Sequence, residues 1–202
     1  MPSINLLRVY LRGWKAILVF TLLGVALAFL FSIIQPLRVS SEVRLLITQT
    51  NATGVDPYTA IKSTERIGQN LSELVYSSSF FNAIMSQEGI DRSYFPTDEI
   101  DKRKEWRDTV DVAVTPGTGV MTIKVYHKDK VQAAALSVAV AKELAEQAPN
   151  YFGYSVRVQI IDDPLPSRFF AKPDFLTNTL MGLVFGFLLG SAYVLARMKH
   201  VR

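Results

Sequence analysis

The chain has no cysteine in its 202 residues. That excludes disulfides, thiolate nucleophiles and cysteine-ligated metals, and it is compatible with an export-side domain. Histidine is almost as scarce, with His127 and His200 the two present. A histidine metal cluster or a nucleophile–base pair therefore has too few members to assemble. Neither G-x-x-x-x-G-K-[ST] nor G-x-G-x-x-G occurs, so no phosphate-cradling loop is visible. Internal repeats and low-complexity tracts are missing too. The adjacent carboxylates Asp162 and Asp163 read as a solvated strand exit before Pro164 rather than as an acid–base pair. The expectation is a protein that is not an enzyme, with no cofactor and no metal.

Charge is also missing where a soluble chain needs it. Ala16 to Ile34 is a run of 19 residues without a charge, and Phe175 to Ala196 is a run of 22. At about 1.5 Å per residue the shorter run reaches roughly 28 Å, close to the hydrocarbon thickness of a bilayer. A core helix of a soluble protein keeps a polar face, and these runs have none. A cleaved secretory signal is the competing reading of the first run. Its length and the absence of an A-x-A-like site near Phe31-Ser32-Ile33-Ile34-Gln35-Pro36 favour an anchor. The expected layout is a cytoplasmic segment at 1–15, a transmembrane helix at 16–35, and an extracytoplasmic domain at 36–174. A second transmembrane helix at 175–196 and a short tail at 197–202 complete it.

The charges that are present set the orientation. Arg8, Arg12, Lys15, Arg197, Lys199 and Arg202 flank the apolar runs, whereas all 18 acidic residues lie between them. Basic flanks remain on the cytoplasmic side, so both ends are expected inside and the middle outside the plasma (inner) membrane. The pI of 9.3 then reflects membrane flanks, and nucleic acid is not an expected partner.

Between the runs, periodicity alternates between the two regular structures. Leu37–Thr48 alternates through Val39, Ser41, Val43, Leu45 and Ile47 as a half-buried strand. A loop at Asn51–Pro57 precedes an amphipathic helix from about Tyr58 to Tyr76, and the serines at 77–79 cap a short helix over Phe80–Gln87 that Gly89 ends. Asp91–Pro96 is read as irregular, and Thr97 as the cap of a charged helix over Asp98–Arg107. Val110–Thr115 and Val120–His127 flank the turn Pro116-Gly117-Thr118-Gly119 as a hairpin. A strong helix over Lys130–Ala148 and a last strand over Tyr154–Ile161 follow. This order predicts an α+β domain of the split βαβ, ferredoxin-like type with helices on one face. Its first and last strands, each continuous with a membrane helix, should be neighbours at the membrane-proximal edge of the sheet.

Three features stand out as candidate functional elements. Gly182, Gly186 and Gly190 repeat every four residues in the second apolar run, and Gly24, Ala28 and Ser32 do the same in the first. Small residues at that period let helix backbones approach where lipid supplies no hydrophobic drive, within one chain or between chains in an oligomer. Pro164, Pro166 and Pro173, with Arg168 and Lys172, form a stiff extended connector at 163–173. There the two cations suit headgroups, with Phe169 and Phe170 at the interface. The charged stretch Asp98–Asp108 reads as a solvated helix with i,i+4 pairs such as Glu99–Arg103, against the alternative of an anion-polymer surface with Trp106 for stacking.

These residues together resemble the Wzz-type chain-length determinants, the polysaccharide co-polymerases. The likeness covers nearly the whole chain. Leu6-Leu7-Arg8-Val9-Tyr10-Leu11-Arg12-Gly13-Trp14-Lys15 resembles the family's basic, Trp-containing approach to the first membrane helix. Gln35-Pro36-Leu37-Arg38-Val39-Ser40-Ser41-Glu42-Val43 resembles its exit, with Leu37 at the usual aromatic position. Thr122-Ile123-Lys124-Val125, Asp129 and the Ala-rich helix through Ala141 are similar to the family's strand, turn and helix. The prolines at 164, 166 and 173 and the glycines at 182, 186 and 190 match its most specific part. The resemblance implies a membrane homo-oligomer that regulates the length or export of O-antigen, capsule or exopolysaccharide. It would act through contact with a polymerase or exporter, with the polysaccharide chain itself as a further candidate partner, and without glycosyltransferase activity. The domain is short for the long-stalked members. The six residues after Ala196 argue against a fused tyrosine kinase and against a separate kinase as partner. A ligand-binding or sensory module acting through a membrane partner is the alternative expectation.

Overall fold

The computed structural model describes residues 6–50, 56–152 and 156–199. The side chains of Arg8, Arg12 and Lys199, residues His200 and Arg202, the loop residues 51–55 and the expected strand start at Tyr154 lie outside what is described. The chain divides into two compact units, one of residues 1–37 with 172–202 and one of Arg38–Ala171.

The first unit is a pair of long helices, α1 (Leu6–Ile34) and α6 (Phe175–Lys199). Both are long and apolar enough to cross a membrane, over Gly13–Ile34 and Phe175–Arg197. Asp174 caps α6 by accepting from the Thr177 hydroxyl at 2.6 Å and the Thr177 amide at 3.1 Å, and these bonds hold its carboxyl below the usual carboxylate range.

The second unit is a mixed α+β domain. Its elements are β1 (Val39–Gln49), α2 (Pro57–Val75), α3 (Ser78–Ser86), α4 (Glu99–Thr109), β2 (Val110–Thr115), β3 (Val120–His127), α5 (Lys130–Phe152) and β4 (Val156–Pro166). The four strands form one antiparallel sheet in the order β2-β3-β1-β4. Because β1 and β2 both pair antiparallel with β3, they run parallel to each other with β3 between them, which is the split βαβ connection. β1 and β4 are neighbours, as expected, although of the two β1 is an interior strand and β4 an edge.

One sheet face is covered and the other is open. On β1, Ser41, Val43, Leu45 and Ile47 point into the core, as do Met121, Ile123 and Val125 on β3. Against them pack Leu71 and Val75 of α2, Phe80 and Ile84 of α3, and Leu136, Val140 and Leu144 of α5. Ser41 and Ser137 satisfy each other inside this core at 2.9 Å. The open face carries a cross-strand line of alternating charge. Lys124 meets Glu42 at 3.4 Å, Glu42 meets Arg44 at 3.2 Å, and Arg44 faces Asp162 at 3.9 Å. Opposite signs on adjacent strands suit a solvated face. The β2 edge is partly closed, because the Tyr76 hydroxyl accepts from the Val112 amide at 3.3 Å. The hairpin turn places Gly117 and Gly119 at positive φ, where a side chain would strain the backbone.

Several sequence expectations need correction. The helix expected to be capped by Thr97 is capped by Asp98, whose carboxylate accepts from the amides of Ile100 and Asp101 at 3.0 and 3.2 Å. An ionised acceptor at a helix N-terminus is favoured by the exposed amides and the dipole. Arg92–Tyr94 forms one 3₁₀ turn inside the segment expected to be irregular. α3 ends at Ser86 with Gln87 as its cap, before Gly89 is reached. Pro149 lies within α5, which continues past Ala148 to Phe152. The expected pair Glu99–Arg103 is present at 3.1 Å, and bonds from Lys102 and Arg103 hold the Glu99 carboxyl down to about 2.

Candidate functional site

In the helix pair the small residues make the seam. A methyl group added at Gly24 would fall on the Gly182 carbonyl oxygen and lie 3.0 Å from the Gly186 Cα. One at Gly186 would lie 2.5 Å from the Phe20 carbonyl oxygen and 2.8 Å from the Thr21 Cα. At Gly190 the neighbour is the Ile17 Cα at 2.8 Å, and at Gly182 it is the Ala28 Cβ at 2.6 Å. The two backbones are in contact, and no side chain fits between them. Numbers that rise along α1 fall along α6, as an antiparallel pair requires.

Polar groups close one end of the seam. Ser32 is fully buried; it donates to the Ala28 carbonyl at 3.0 Å and accepts from the Asn178 amide at 2.9 Å. An amide–hydroxyl bond between two apolar helix faces satisfies both polar groups, which would otherwise lie buried and unpaired. Phe20 stacks on Tyr193 at 5.3 Å and Phe29 on Phe175 at 6.0 Å. The large side chains point away: Leu22, Phe31, Leu176 and Phe185 are all exposed. Small residues inside and large apolar ones outside is the reverse of a soluble helix pair. Beside the seam, Ala28, Phe31, Asn178, Met181, Gly182 and Phe185 line a shallow groove of about 280 Å³.

The segment expected as a stiff, extended connector at 163–173 is extended, but its first part lies inside the sheet rather than between the domain and the helix. β4 continues beyond Ile161 through Asp162, Asp163, Pro164 and Pro166, and stays paired with β1. Ser41 lies opposite Pro166 and Glu42 opposite Leu165, after register shifts around Arg44. Ser167 then donates to the Ser40 carbonyl at 2.7 Å, and the Ala171 amide donates to the Arg38 carbonyl at 2.8 Å. Prolines lack an amide hydrogen, so a bulged edge strand is where a sheet accepts them. The prolines read from sequence as a spacer therefore blunt the β4 edge. Arg168, Phe169 and Phe170 are exposed in the following bend, with Phe169 at 82%. Lys172 and Pro173 belong to the helix-pair unit, where Pro173 is buried.

Two groups were missed or underread. Trp106, weighed as a stacking surface, is 2% exposed, and its indole donates to the Val75 carbonyl at 2.8 Å. It packs edge-on against Phe81 and Phe95. Ile100, the other apolar residue of that helix, is exposed. Periodicity alone does not separate the two. A polar cluster also joins β1, α4 and β3. Arg38 pairs with Glu105 at 2.9 Å, Tyr94 stacks on His127 at 4.1 Å, and Thr109 is fully buried beside them. Their separation in sequence gave no signal of this. Among the described residues, no group of three or more His, Asp or Glu is placed to hold a metal.

Compared with known proteins, the chain matches no protein-family model and no curated protein.

Proposed function

We propose that the chain is a membrane-anchored polysaccharide co-polymerase, with α1 and α6 spanning the plasma membrane and the α+β domain outside it. The observation that carries this reading is the inverted helix pair, a small-residue seam inside and large apolar side chains facing outward where lipid would lie. Its supporting context is a domain whose first and last strands, each leading to one of those helices, are hydrogen-bonded neighbours. Both termini would be cytoplasmic, following the basic flanks. Exposed Phe169 and Phe170 beside Arg168 suit the headgroup boundary. The chain would act by self-association and contact with a membrane polymerase or exporter, setting the length of a surface polysaccharide. Since the glycine seam is filled within the chain, self-association would use the outward helix faces or the domain.

Deleting the gene and separating the surface polysaccharide by gel electrophoresis tests this. The modal chain length should change, and an unaltered ladder overturns the reading. Pro164→Ala combined with Pro166→Ala should alter the length distribution while the protein still inserts, because it frees the blunted β4 edge. Size measurement of the intact protein in detergent should give a multimer.

A further inference from the structure

His127 is buried at the end of β3, opposite Val39 at the start of β1. Its Nδ1 accepts from the Asp129 amide at 3.0 Å. With Nδ1 used as an acceptor, the neutral ring carries its proton on Nε2. That Nε2 is buried and makes no hydrogen bond. The Tyr94 hydroxyl lies against Glu105 and Thr109, without a bond of good geometry to either.

The imidazole is tied to the next helix through Asp129. The Asp129 carboxylate accepts from the Val131 amide at 2.9 Å, and its carbonyl accepts from the Ala133 amide at 2.9 Å. Asp129 is thus the N-terminal cap of α5. A proton on Nδ1 removes the lone pair that holds the Asp129 amide. The new N–H can donate to the Asp129 carbonyl at 3.2 Å, which must then be shared with the Ala133 amide of the first turn, so the protonated ring recovers part of what it gives up.

The surrounding charges do not compensate. Facing His127 is Arg38, just before β1, which is itself paired with Glu105 of α4. Asp91 and Tyr94 come from the 3₁₀ turn, and Lys128 and Asp129 from the turn into α5. Lys128 lies 5.9 Å from the Tyr94 ring centre. Asp129 and Asp91 favour a charged imidazole, Arg38 opposes it, and burial opposes it most, so the His127 pKa falls below its ordinary value. Burial likewise pushes the Tyr94 hydroxyl up to about 12, so the phenol stays neutral and supplies no counter-charge.

We infer that His127 is an acid-operated latch: taking up a proton from solvent, it releases the Asp129 cap of α5 and loosens the start of β1 at Arg38 and Val39. The stability that the neutral ring contributes is complete above the unfolded-state value of 6.5. It is lost progressively as pH falls from there toward the lower folded-state value, because the unfolded chain then binds the extra proton. The latch stands apart from the co-polymerase reading; only its exposure to external pH rests on that topology.

Amide hydrogen exchange on the full chain in detergent micelles tests the inference, with opening constants corrected for intrinsic rates. Below about pH 6.5 the opening constants of residues 39–41 and 129–133 should rise, by up to tenfold per pH unit for a single proton. His127→Gln should abolish that rise. The same pH-dependent rise in the variant, or opening spread evenly through the whole domain, overturns the latch. Should His127→Gln not fold, the imidazole is followed by NMR in a His200→Gln background. Opening of residues 129–133 that follows the imidazole's titration supports the latch, and opening independent of that titration overturns it.

Discussion

Replacing Gly186 with leucine is expected to force α1 and α6 apart. The first side-chain atom would lie 2.5 Å from the Phe20 carbonyl oxygen and 2.8 Å from the Thr21 Cα. Both are backbone atoms, so no rotamer change relieves the clash and a whole helix must move. Overpacking costs typically 1–3 kcal/mol, about a 5- to 150-fold shift in the pairing equilibrium, and backbone obstruction places this variant at the upper end. The chain has no cysteine, which makes the measurement clean. Thiols introduced by Ser32→Cys and Asn178→Cys replace groups that meet at 2.9 Å and should cross-link readily. Adding Gly186→Leu should remove most of that cross-link. Val184→Leu, on the exposed side, should leave it unchanged. Equal cross-linking in both variants would show that the seam does not hold the pair. Under the proposed function, Gly186→Leu should also alter polysaccharide chain length in protein that still reaches the membrane.

Trp106→Ala is expected to be the most destabilising single change in the α+β domain. The indole is 2% exposed, packs against Phe81 and Phe95, and donates to the Val75 carbonyl. Truncating a buried aromatic costs roughly 3–5 kcal/mol, and the abandoned carbonyl adds to it. Against a typical stability of about 5–15 kcal/mol, that removes a large share. Urea unfolding of the intact protein in detergent, followed by far-ultraviolet circular dichroism, should show the loss as a lowered midpoint. Trp106→Phe should fall between the two, keeping most of the ring and losing the N–H. A change below about 0.5 kcal/mol for the alanine variant would instead mark Trp106 as a surface residue.

Much of the fold was legible because local patterns coincide with burial. Alternation through Val43, Leu45 and Ile47 marks β1 because every second residue meets the helices. The Gly-containing turn between Val110–Thr115 and Val120–His127 marks the hairpin because both of its turn glycines need positive φ. The length of β4 was not legible. Two acids and two prolines look like the end of a strand, yet pairing with β1 carries the strand on through a bulge. The helix cap was displaced by one residue because Thr97 and Asp98 are both good caps, and only the chain path chooses between them.

The candidate seam was visible as a period-four stripe, but its partner was not. Gly24 could face a helix of its own chain or of another, and the sequence is the same in either case. By itself, the sequence determined where charge is absent, which stretches are long enough to span a bilayer, and which faces carry small residues. These are properties of composition and spacing along one strand of chain. Only the tertiary structure decided that the two small faces meet each other, that Trp106 is interior, and that His127, Tyr94, Thr109, Arg38 and Glu105 converge. Each of these depends on contacts between residues far apart in the chain, and a local period carries no information about them.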